Sequence, residues 1–240
     1  MRLLLLSSSR QGETGYLQHA KPAIREFLGG AVRRVLFLPY ARVIGEYDAY
    51  VEQVGAVFDD LGYNLHGIHR VENPIRAIEQ AEALAVGGGN TWQLAREVHR
   101  LMLTEPIRRR VRAGTPYLGW SAGSNLACPT FQTTNDMPIC EPLGLDALGL
   151  IPFQINPHYL HGNPPGFHGE TREERIIEYL ELHPDVWAVG LREGTMLRIE
   201  DGSIRLIGDQ PCRVFRRGHE FRELGPDASF EFLLSDHGTC

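Results

Sequence analysis

No cysteine framework for a metal or a disulfide scaffold is present in this 240-residue sequence. Its four cysteines, Cys128, Cys140, Cys212 and Cys240, include no C-x-x-C pair and match no zinc-binding spacing. They read as reduced thiols of a cytoplasmic protein, with the terminal Cys240 expected to be exposed. His158, His161 and His168, with Glu170 and Asp136, make a local cluster. The chain has no H-E-x-x-H and no helical i, i+4 histidine pair, so no metal is expected. No segment approaches the roughly 20 apolar residues of a membrane span. Leu3-Leu4-Leu5-Leu6 is too short for a signal-peptide core, and Ser7-Ser8-Ser9-Arg10 closes it without a cleavage site. A buried first strand is the expectation. The net charge is -6, and basic residues cluster only at 108–112, a run suited to the solvated face of a helix. A nucleic-acid partner is therefore not expected. Repeats and low-complexity linkers are absent too, so residues 1–240 are expected to form a single domain.

What is present is an ordinary globular balance, 42% hydrophobic and 22% charged. Strand and helix patterns alternate through the first half. Apolar runs at 3–6, 35–38, 64–68, 83–86 and 117–119 read as strands. Helical patterns lie at 16–28 (with Pro22 as a second candidate for the helix start), 48–61, 74–81, 91–103 and 105–113. Strands that are apolar throughout are buried on both faces, so the prediction is an α/β fold with a doubly wound, mostly parallel sheet. Residues 128–169 carry little periodicity. A helix follows at 171–182, opened by the capping-box pair Thr171 and Glu174. Short strands at 186–189, 196–200, 204–207 and 213–215, with a hairpin at Asp201-Gly202, predict a mixed or antiparallel C-terminal part.

Chemistry concentrates at strand ends, where such sheets build their sites. Gly119-Trp120-Ser121-Ala122-Gly123 has the order of a nucleophile elbow: strand, sharp turn carrying a serine, helix. Gly87-Gly88-Gly89-Asn90 ends the preceding strand. It lacks a Walker lysine and G-x-G-x-x-G spacing, so a nucleotide cradle is not favoured, whereas close-approaching backbone amides suit an oxyanion. A serine nucleophile needs a base, and His158, in Asn156-Pro157-His158 after an apolar segment, is the leading candidate. Two carboxylates compete to orient it, Asp136 and Glu193, and spacing does not choose between them. An α/β-hydrolase esterase is the alternative reading, opposed by the short interval from Ser121 to His158 and by the missing HGGG-type segment.

Several segments together carry a resemblance. Gly88-Gly89-Asn90-Thr91, Gly119-Trp120-Ser121-Ala122-Gly123, Thr134-Asn135-Asp136-Met137-Pro138, Asn156-Pro157-His158, Gly169-Glu170-Thr171-Arg172-Glu173-Glu174-Arg175 and Glu193-Gly194-Thr195 occur in the order seen in the S51 serine peptidases, the peptidase E family of aspartyl dipeptidases. The resemblance implies a class I glutamine amidotransferase-like fold with serine at the elbow. It also implies a cytoplasmic enzyme that hydrolyses Asp-Xaa dipeptides without a cofactor. Carried over, Ser121 is the nucleophile and His158 the base. Asp136 is the third member, with Glu193 as the alternative, and the amides of Gly89 and Ala122 form the oxyanion hole. Arg172, Arg175 and Asn90 are candidates for binding the peptide, the arginines because guanidinium matches carboxylate. A monomer or homodimer is expected.

Overall fold

The computed structural model describes residues 1–166 and 168–234; the expectation for Cys240 lies outside them. The five apolar runs form β1 (Arg2–Leu6), β2 (Arg34–Leu38), β3 (Asn64–Gly67), β4 (Ala83–Val86) and β5 (Tyr117–Trp120). They pair in parallel in the order β3-β2-β4-β5-β1. The period-2 alternation of β1 shows why both faces had to be apolar. Leu3 and Leu5 join one core with Leu84, Val86 and Tyr117, while Leu4 and Leu6 join another with Val35, Phe37, Ala83 and Leu118. Both cores are roofed by helices. α1 (Lys21–Leu28) and α2 (Tyr47–Asp60) cover the second. α3 (Pro74–Glu79), α4 (Thr91–Arg100), α5 (Thr104–Arg112) and α6 (Ala122–Ala127) contribute to the first. Each fully buried leucine or phenylalanine contributes about 1.5–3 kcal/mol.

The C-terminal half departs from expectation in its partition. After α7 (Arg172–Leu182), β7 (Ala188–Gly190) enters a second sheet, but β8 (Met196–Glu200) and β9 (Ser203–Ile207) return to the first. There β8 runs antiparallel to β1 and β9 antiparallel to β8. The second sheet has the order β11-β10-β7-β6, built from β6 (Gln154–Asn156), β10 (Cys212–Phe215) and β11 (Arg222–Leu224) as well as β7. In it β6 and β7 are parallel. Residues of β6, β7 and β10 share a buried cluster with β1, β4 and β8, so the two sheets close over common apolar contacts.

Local signals were followed closely. Pro22 stands in the first turn of α1, after a 3-10 turn at Gln18–Ala20, where its missing N–H costs no helical bond. Asp201 and Gly202 both adopt positive φ, as a two-residue type I′ hairpin turn requires. The Thr171–Glu174 capping box forms in both directions.

Candidate active site

The elbow is built by close packing of backbone. Ser121 sits between β5 and α6 at φ 53°, ψ -112°, a strained conformation for a residue with a side chain. Gly119 and Gly123 make that turn possible. A Cβ at Gly119 would lie 2.5 Å from the Gly123 carbonyl oxygen, and one at Gly123 would lie 2.2 Å from the Val86 oxygen. Any larger residue at either position pushes β5, α6 and β4 apart. Ser124 locks the turn by donating to Leu6 O at 2.7 Å. The hydroxyl of Ser121 therefore projects at the carboxyl ends of β4 and β5.

His158 meets it from the loop after β6. Its Nε2 lies 2.9 Å from Ser121 Oγ, and its Nδ1 lies 2.7 Å from Glu193 Oε1. His158 itself has φ 54°, uncommon for a residue with a Cβ. Ser7, fully buried at the end of β1, secures it: the His158 N–H donates to Ser7 Oγ at 2.8 Å, and Ser7 donates to Leu191 O at 2.7 Å. Glu193 is delivered by continued pairing beyond β6 and β7, in which Leu191 N donates to Asn156 O and Tyr159 N to Leu191 O.

Glu193 thus faces the imidazole, and Asp136, expected to stand third after Ser121 and His158, is placed on other partners. Its carboxylate accepts from the Thr91 N–H at 2.8 Å, the Thr91 hydroxyl at 2.6 Å and the Thr134 hydroxyl at 3.0 Å. It sits on the N-terminus of α4, where the helix dipole favours an anion. The loop around it braces the histidine indirectly: Asn135 donates to Pro157 O at 2.6 Å, and Asn156 donates to Asn135 Oδ1 at 2.8 Å.

Gly88 and Gly89 face the elbow. Gly89 has φ +139°, and a Cβ there would lie 2.3 Å from Ala41 O. Asn90 N donates to that same oxygen at 2.8 Å. Asn90, expected to bind substrate, lines the Ser121 cavity and also braces the fold. Its Oδ1 caps α4 by accepting from Gln93 N, and its Nδ2 donates to Met137 O. Ala122 opens α6, so its N–H has no acceptor within the helix.

A family model for Peptidase family S51 matches residues 3–207. Peptidase E of Nostoc sp. is 50% identical over 97% of this chain and 96% of its own length. The chain belongs to peptidase family S51. Peptidase E of Salmonella paratyphi A is 47% identical, covering 92% of this chain and 96% of its own. A solved peptidase from an acI-B1 Actinobacterium shares the fold, with TM-score 0.71 and 16% identity over 95% of this chain and 96% of that one.

In this S51 peptidase, Ser121 and His158 line a cavity of about 810 Å³ with Gly88, Gly89, Asn90 and Asp136. Arg172 and Arg175 line a separate, smaller cavity with Asn135, Asn163 and Glu170. Arg175 is exposed and pairs with Glu170, Nε to Oε2 3.6 Å. Arg172 is half-buried and has no ion-pair partner among the described residues. Burial, then the charge of Arg175, lower its pKa, while Glu193 and Asp136 act to raise it.

Sequence reasoning missed the wall behind the Gly88-Gly89 loop. Trp120 Nε1 donates to Tyr16 Oη at 2.9 Å, the Tyr16 and Tyr50 hydroxyls lie 2.8 Å apart, and Tyr50 donates to Gly88 O at 3.0 Å. Burial raises the pKa of both tyrosines, which keeps them protonated and able to donate. Trp120 also stacks on Phe37 with ring centroids 5.7 Å apart. Only Trp120, at the end of the apolar run 117–119, carried a signal; Tyr50 lies within α2 and Tyr16 in the loop before α1.

Proposed function

We propose that this S51 peptidase is a serine dipeptidase hydrolysing Asp-Xaa substrates through an acyl-enzyme on Ser121. The observation that carries the reading is the continuous relay Ser121–His158–Glu193, with separations of 2.9 and 2.7 Å, whose serine and histidine line one cavity. His158 Nε2 takes the Ser121 proton as Oγ bonds to the scissile carbonyl carbon. Glu193 holds the imidazole with Nδ1–H toward the carboxylate and stabilises the imidazolium that forms. The carbonyl oxygen becomes an oxyanion between the amides of Gly89 and Ala122. Collapse breaks the C–N bond, and His158 returns its proton to the leaving amine. Water, deprotonated by the same histidine, then releases aspartate and restores the serine.

No cofactor enters these steps. The aspartyl preference rests on the family resemblance and on cationic side chains near the relay, Arg172 among them. The test is release of aspartate from Asp-Leu by purified protein in the presence of chelator, beside Ser121→Ala, with Ala-Leu and Glu-Leu as comparisons. Chelator-resistant turnover of Asp-Leu that Ser121→Ala abolishes is the expected result. Hydrolysis of a nitrophenyl ester with no dipeptide turnover would replace this reading with that of an esterase.

A further inference from the structure

The catalytic cavity has cations of its own. Arg10 and Arg42 line it with Ser121 and His158, whereas Arg172 and Arg175 line another. The carboxylate on its wall, Asp136, already accepts from Thr91 and Thr134. Neither Arg10 nor Arg42 has an ion-pair partner among the described residues. Both are exposed.

Arg42 is tied to the reacting centre through short steps. The Ala41 carbonyl beside it accepts from Asn90 N and packs against Gly89, and Gly88 lies against the Ser121 Cβ. Its guanidinium carbon stands 5.4 Å from the centre of the Tyr50 ring, whose hydroxyl fixes Gly88 O. The aromatic face orients the guanidinium, and its N–H edges have no hydrogen-bond or ion-pair partner among the described residues. Its charge reaches the hydroxyls of both Tyr16 and Tyr50, acting to lower their pKa.

We infer that Arg42, supported by Arg10, is a specificity residue that anchors a substrate carboxylate in the Ser121 cavity. This rests on the dipeptidase reading, because an Asp-Xaa dipeptide carries a carboxylate on each side of its scissile bond, the aspartyl side chain and the free C-terminus. Arg42 adjoins the oxyanion loop within the cavity that Ser121 lines.

Binding of Asp-Leu, Asn-Leu and Asp-Leu amide to Ser121→Ala and to Ser121→Ala/Arg42→Gln is measured by calorimetry, with Arg42→Lys as the charge-preserving variant. Turnover of Asp-Leu by the wild type and by Arg42→Gln is followed in parallel. A charge-assisted bidentate contact corresponds to about a 10- to 100-fold loss of affinity. That loss is expected for Asp-Leu and for one analogue only. If the loss spares Asn-Leu, Arg42 holds the side-chain carboxylate; if it spares the amide, Arg42 holds the C-terminus. Arg42→Lys should recover part of the affinity. Equal losses on all three ligands, or none, would overturn the anchor. Absence of Asp-Leu turnover in the wild type would overturn the dipeptidase reading instead, and the binding ratios would still judge Arg42.

Discussion

Ser7→Ala tests whether His158, the proposed base, is held by the first strand. The Ser7 hydroxyl accepts from the His158 N–H at 2.8 Å and donates to Leu191 O at 2.7 Å. Leu191 O keeps a second donor, Tyr159 N at 3.0 Å, so the group orphaned by the substitution is the His158 amide. One buried donor left unpaired costs about 1–3 kcal/mol. At about 2–4 °C per kcal/mol for a chain of this size, Tm should fall by roughly 2–12 °C. The catalytic effect has a separate origin. His158 sits at φ 54°, a conformation that persists only while its surroundings over-determine it. Released from Ser7, the backbone relaxes and Nε2 moves away from Ser121. A displacement near 1 Å costs on the order of 100-fold in rate. We therefore expect kcat on Asp-Leu to fall by about 10- to 100-fold with KM little changed, because Ser7 does not line the substrate cavity. Ser7→Cys, a near-isosteric weak acceptor, should fall between. A Ser7→Ala protein that melts lower yet keeps kcat within about twofold would refute the argument and leave the orientation of His158 to Glu193 alone.

Four further outcomes follow from the structure. Glu193→Gln should lower kcat by about 10²–10⁴ with little change in Tm, since it removes the charge facing Nδ1. Asp136→Asn should lower Tm through loss of the α4 N-terminal anion with a smaller kcat effect, and kinetics and melts that exchange these two phenotypes would exchange the assignments. Gly89→Ala should lower kcat by about 10²–10³, because a Cβ 2.3 Å from Ala41 O forces the oxyanion loop to shift; unchanged kcat would remove Gly89 from that role. Glu82 accepts from the amides of Arg33 and Arg34 and from the Arg34 guanidinium, which hold its carboxyl at about 2 against an ordinary 4.5. A depressed folded-state pKa contributes stability that is present above pH 4.5 and lost as pH falls toward 2. The Tm gap between wild type and Glu82→Gln should therefore shrink across that window, and a gap constant with pH would contradict the assignment.

The residues of the site differed in how far their surroundings in sequence could identify them. Ser121 was legible because everything that makes the elbow is local: an apolar strand, small flanking residues and a helix follow one another within a dozen positions. His158 was legible as a histidine at a strand end. Its carboxylate partner was not, and the reason is topological. Asp136 and Glu193 both stand in loops that a parallel sheet brings near the elbow, and both have the chemistry to orient an imidazole. What separates them is that β6 and β7 pair in parallel, so that Leu191 bonds to Asn156 and the next turn carries Glu193 onto His158. Neither segment contains a signal for that pairing, since the short strands after residue 186 look alike whichever sheet they join. The same ambiguity hid the division of β7 and β8 between two sheets. Arg42 was missed for a different reason. Its neighbours have no helical or strand period, and only the approach of Ala41 to Gly89 turns a loop arginine into part of the Ser121 cavity. A charge at a strand end is thus informative only once the strand order is known, because the order decides which loop ends share a cavity.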